Sequence, residues 1–309
     1  MKKTVLILTG TALLCVISFL LPANYLLRLL PLPLTGLGKA LRFLSLSGST
    51  GNILSIILWL VTGLLPLALA MRKQWSKENF LLIVACVILI YSLYYMVNPG
   101  LRPINLRDEV GDLILSCSFY SVMVCWAVIK FLRSSDKLDT ASICKVLEVF
   151  LWICAAECIL LGTAGTISEL RLSLAALATA NTIPGQQLFP TQLFLVLSAC
   201  VTSLEYWLDA YVLTLSIHLL KHLAVGPYDQ KCCAAAGKTV KGCKRSLLWI
   251  LLSHSGLNIT MLFFAKYLYN LNASFRFPLI SLAIIFAIMG LSHLLEQGRK
   301  LKEDNDLFI

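Results

Sequence analysis

FLLIVACVILIYSLYYMV, residues 80–97, decides the fold: it is an apolar run of 18 residues without one charged side chain. About 20 apolar residues in a helix cover the ~30 Å hydrocarbon core of a bilayer. Backbone in hydrocarbon must satisfy its own polar groups, so a run this continuous is a helix and not a barrel strand. Working outward, mostly apolar runs recur at 4–21, 53–71, 111–132, 146–167, 191–220, 247–269 and 277–295. The expectation is an all-α polytopic membrane helix bundle of about eight transmembrane helices.

Composition agrees with that reading. Of the 309 residues, 58% are hydrophobic and 14% charged, whereas soluble domains carry about 25% charged residues. A net charge of +10 raises nucleic acid as a partner, but the cations are spread over many loops and not gathered on one face, so no direct nucleic-acid binding is expected. Attraction to anionic lipid heads and the positive-inside bias account for them. With both termini in the cytoplasm, 18 Lys and Arg fall on the inner side and 8 on the outer. The expected location is therefore a bacterial cell membrane, multi-pass, with both termini cytoplasmic.

Met1-Lys2-Lys3 before residues 4–21 resembles the start of a secretory signal. The apolar run is longer than a usual signal core, and Leu14 before Cys15 does not suit lipoprotein cleavage, so an uncleaved first helix is expected. Two outer connections are long. Residues 22–52 contain Pro22, Pro31 and Pro33, with a leucine-rich piece at 24–34 expected to lie in the interface and a Ser/Gly/Thr run at 45–52. Residues 168–190 mix leucines with polar residues. Counting spans gives a 1–140 unit of four helices and a 141–309 unit of four helices with a short cytoplasmic tail. A 4 + 4 layout with cytoplasmic ends is compatible with a parallel duplication, although no residue-level repeat is legible.

The eleven cysteines lie mostly within spans, where cysteine behaves as a small apolar residue. Cys232-Cys233 with Cys243 lacks the paired spacing of a zinc site. No metal ligand and no cofactor is expected.

Ionisable residues at depth concentrate in the C-terminal half: Glu157 in the fifth span, Glu205 and Asp209 in the sixth, His254 with Asn258 in the seventh. At about 100° per residue, Ser198, Thr202, Glu205, Asp209 and Ser216 share a stripe about 60° wide. A charged carboxylate at mid-bilayer costs at least ~2.5–3.5 kcal/mol, so this stripe is expected to face the bundle interior. Two readings stay open: a water-accessible proton or cation site formed with Glu157 and His254/Asn258, or a polar seam that holds helices together with carboxylates protonated by burial.

The tail runs Gly298-Arg-Lys-Leu301-Lys-Glu303-Asp304-Asn305-Asp306-Leu307, and Gly226-Pro227-Tyr228 follows the sixth span. Together with four spans in residues 146–295, these resemble a family of small four-span bacterial membrane proteins of unassigned function. In that family Gly-Pro-Phe precedes the third helix, and a Gly, a Leu three residues on, an acidic cluster and Asp-Leu close the domain. Phe308 stands here where its members usually have Thr. Such proteins are often encoded beside a helix-turn-helix regulator. The resemblance implies a regulatory or scaffolding membrane component, with a cytosolic protein partner held by the basic segment from Lys221 to Arg245 and by the tail. The alternative is a proton- or cation-coupled transporter using the intramembrane carboxylates.

Among enzymes, an eight-span glutamic intramembrane protease fits the span count, and His254-Ser-Gly-Leu-Asn258 has its His-x-x-x-Asn spacing. Its paired Glu-Glu followed by Arg is absent, since Glu157 stands alone as Ala-Glu-Cys. No His-Glu-x-x-His, Gly-x-Ser-x-Gly or phosphate-cradling glycine loop occurs. No residue is assigned a catalytic role.

Overall fold

The computed structural model describes residues 29–70, 76–102, 109–135, 138–180, 187–226, 229–269 and 277–306. Among them there is no β-strand, and the chain is an all-α helical bundle. The expected first span, 4–21, lies outside the described residues. The described residues fall into two units, 29–135 and 138–306.

The first unit holds α1 (Leu32–Ser45), α2 (Ser49–Ala68), α3 (Phe80–Val97) and α4 (Glu109–Ser135). Helix α1 occupies much of the long connection expected at 22–52. Its prolines start the helix instead of breaking it: Pro33 falls in the first turn, where no backbone N–H is required. Leu34, Leu37 and Leu41 then recur on one face, and Leu34 joins Leu89, Leu93, Met96 and Leu115 in the unit's core. At 14 residues the helix is about 21 Å long, too short to cross hydrocarbon. Gly48, at φ 133°, makes the turn into α2 in a conformation closed to other side chains.

The second unit holds α5 (Thr140–Leu160), a π turn (Leu161–Gly165), α6 (Thr166–Ala180), α7 (Phe189–Leu223), α8 (Gln230–Phe264) and α9 (Leu279–Asp306). Helix α7 is central and packs against α5, α6, α8 and α9. Six described helices are long and apolar enough to cross a membrane: α2, α3, α4, α7, α8 and α9. The expected fifth span falls on α5 and the π turn. Helix α5 is not among the six, since Lys145, Glu148 and Glu157 all lie within its 21 residues.

Two connections expected as loops are helical. Residues 166–180 continue past the π turn as α6, favoured by Ala175, Ala176 and four leucines. The basic segment from Lys221 to Arg245 is largely the end of α7 and the first turns of α8. There Cys232, Ala235, Ala236, Thr239, Gly242, Cys243 and Ser246 are buried at helical spacing, so the cations ride on a packed helix.

Candidate functional site

Three helices of the second unit bring four polar side chains to one place. Glu205 and Asp209 lie one turn apart on α7, which sets both carboxylates on the same face. His254 of α8 puts Nε2 2.9 Å from Glu205 Oε2. Ser281 of α9 puts Oγ 2.8 Å from Glu205 Oε1 and 2.6 Å from Asp209 Oδ2. Asp209, His254 and Ser281 are 5%, 5% and 2% exposed, and Glu205 is half-buried.

The proton count of this cluster is constrained. A serine hydroxyl has one hydrogen and can donate to one carboxylate oxygen at a time. The second contact is a hydrogen bond only when that carboxyl is itself protonated and donates to Oγ. Glu205 and His254 likewise need one proton between them, on the imidazole or on the carboxyl. The network thus has several internal placements for the same few protons. Buried Asp209 Oδ1 and His254 Nδ1 have no hydrogen-bond partner among the described residues. A buried polar atom left so costs about 1–3 kcal/mol, and both atoms are open to a further donor or acceptor.

The cluster sits deep. His254 follows Arg245 by nine residues and precedes Lys266 by twelve, with no charged residue between them. At ~1.5 Å per residue this places it about 13 Å from one charged boundary and 18 Å from the other. One and two turns from Glu205, Thr202 and Ser198 of α7 face Thr166, Glu169 and Ser173 of α6 across a polar cleft of about 30 Å³, room for about one water.

The π turn sets α6 against α7 at this level. Its Gly162 carbonyl accepts from Thr166 Oγ1 at 3.0 Å and from Ser203 Oγ of α7. A Cβ on Gly162 would stand 2.8 Å from Tyr206 Cβ, so only glycine allows this approach. Single π turns of this kind occur often at functional sites.

Of the residues singled out in the sequence, Glu205, Asp209 and His254 meet directly, while Ser198 and Thr202 line the adjoining cleft. Asn258 is half-buried one turn beyond His254. Glu157 is not part of the cluster and is exposed on α5. Equal depth suggested that it would join, but depth does not fix rotation. Helix α5 buries Ala155, and a residue two positions on points about 200° away. Ser216 is buried and donates to the Val212 carbonyl at 2.9 Å, a bond within its own helix. Ser281 carries little signal in the sequence, a lone hydroxyl near the start of a mostly apolar span.

No group of three or more His, Cys, Asp or Glu side chains among the described residues is placed to hold a metal ion. Comparison of the chain with protein-family models, curated proteins and solved structures found no match.

Proposed function

We propose that this protein is a bacterial membrane component with both termini cytoplasmic, and that it moves protons, alone or coupled to a cation or solute, through the helices of its second unit. One observation carries the reading: a single hydroxyl, Ser281 Oγ, stands within hydrogen-bond distance of two carboxylates. Glu205 is the exchanging group, because it is half-buried and touches both the imidazole and the hydroxyl. Asp209 stores the alternative proton position, and His254 relays. The cleft at Thr202 and Ser198 gives water an approach from the α6 side. A regulatory or scaffolding role would draw on other residues, the basic segment from Lys221 to Arg245 and the tail, and would leave the carboxylates as glue between helices.

The two readings part at Glu205→Gln. The amide keeps shape and hydrogen bonding but cannot exchange a proton. Full-length protein in liposomes enclosing a pH-sensitive dye, under an imposed pH gradient, is expected to pass protons faster than empty liposomes. Glu205→Gln is expected to lose that flux at unchanged thermal stability. A wild type no leakier than empty liposomes, or a variant as active as the wild type, overturns the proposal.

A further inference from the structure

A second feature of the same unit lies at the opposite end of α8 from Lys266 and takes no part in the carboxylate network. On α8 the sequence carries no charge from Ser246 to Ala265, and Arg245, Lys244 and Lys241 precede that run. On α9 there is no charge from Leu279 to Leu295, and Glu296, Arg299 and Lys300 follow it. An uncharged helix of 17–20 residues is about 25–30 Å long, the thickness of the hydrocarbon core. Both helices therefore pass from apolar to charged sequence at the level of the lipid headgroups. Between them at this level opens a crevice of about 560 Å³. Small side chains make the space, Ala236, Gly237 and Ser292 among them, and among the described residues its charged rim is Lys241, Lys244, Arg299, Lys300 and Glu296.

Three lysines gathered at one crevice repel each other unless an anion joins them. Lys241, Lys244 and Lys300 have no ion pair or hydrogen bond among the described residues. Elsewhere in the unit, Lys221 is matched by Glu148 at 3.0 Å. Phosphate chemistry fits the crevice: ammonium groups hold it as point charges, and basic crevices between membrane helices are suited to anionic lipid heads.

The geometry points to a phosphate-group binding site between α8 and α9, held by Lys241, Lys244 and Lys300 at the headgroup level. Its level and its opening between two membrane-crossing helices favour phosphate carried by an anionic lipid over the free ion.

The test uses purified full-length protein in a neutral detergent. Phosphatidylglycerol, phosphatidylcholine and inorganic phosphate are titrated separately, with bound lipid counted by native mass spectrometry and thermal stability followed in parallel. Saturable binding of phosphatidylglycerol but not phosphatidylcholine supports the site with a lipid source. Stabilisation by inorganic phosphate at millimolar concentration supports it with the free ion. The triple variant Lys241→Gln, Lys244→Gln, Lys300→Gln is expected to weaken binding roughly tenfold or more, and the triple Lys→Arg variant is expected to retain it. Lys231→Gln, Lys238→Gln, Arg245→Gln removes the same charge from α8 outside the crevice and is expected to cost about threefold or less. Three outcomes overturn the site: neither phosphatidylglycerol nor inorganic phosphate binds, phosphatidylcholine binds as well as phosphatidylglycerol, or the two Gln triples lose binding equally.

Discussion

The two units place their charged residues in opposite ways. In the first, ion pairs stand at the ends of helices: Arg102 meets Asp112 at 2.7 Å near the start of α4, and Arg133 meets Glu78 near its end. Several polar groups deeper in that unit are neutral and bind backbone carbonyls, as Ser55 does to Leu41 at 2.8 Å and Trp59 to Ile90 at 3.0 Å. In the second unit, two carboxylates and an imidazole meet in the interior. An ion pair at a rim marks where a helix ends and joins two groups of fixed opposite charge. Ionisable groups inside must share protons, and their arrangement changes whenever a proton arrives or leaves. The first pattern suits a scaffold and the second suits exchange.

The largest expected effect is at the interior. Glu205→Leu removes the acceptor for both His254 and Ser281 and is expected to destabilise the protein by about 3–5 kcal/mol, the range for breaking a buried charged pair. Thermal unfolding in detergent would show it; a midpoint equal to that of Glu205→Gln would erase the contrast between the units.

An intermediate loss is expected at the rim of the first unit. Arg102 is 7% exposed, donates Nε to the Tyr95 carbonyl at 2.7 Å and pairs with Asp112. Arg102→Gln is expected to cost about 1.5–3 kcal/mol, as for hydrogen bonds to charged groups, without changing proton flux. A loss of flux in this variant would show that the exchange function is not confined to the second unit.

The smallest effect belongs to Lys221→Gln. Its partner Glu148 is solvent-accessible and Lys221 is 53% exposed, so under about 1 kcal/mol is expected. The difference from wild type should shrink further as salt rises. A salt-independent loss larger than that of Arg102→Gln would reverse the ranking of buried against exposed ion pair.

How much of this was legible in the sequence follows from what each signal measures. Apolar run length reports transfer into hydrocarbon, and it locates the long helices α2, α3, α4, α7, α8 and α9 but not α1 or α6, which lie in expected connections. Stripe analysis on one helix reports rotation, and it placed Glu205 and Asp209 on the same side of α7. It says nothing of which neighbour stands opposite, so Glu157 was assigned to the cluster by depth and Ser281 was passed over. Prolines were read as breakers at 31 and 33 because their position relative to a helix start is invisible without the helix. The length of α8 was hidden for a related reason. Its lysines suggested a loop, while the buried Cys232, Ala235, Thr239 and Gly242 beneath them carry a weak apolar signal that is legible only once α7 lies alongside.

The π turn at Leu161–Gly165 has a consequence in terms of insertion and deletion. One π turn in an α-helix amounts to one surplus residue, and one residue is about 100° of rotation. That surplus is taken up inside the turn, so removing one residue from this stretch would let α5 and α6 join as unbroken α-helix with Thr166, Glu169 and Ser173 still turned toward Ser198 and Thr202. Removing one residue from the first turn of α6 instead has no surplus to draw on, and every later side chain of α6 would rotate by that angle. The tolerance of this helix to a one-codon deletion therefore changes within a few residues, from absorbed at 161–165 to re-aimed just beyond.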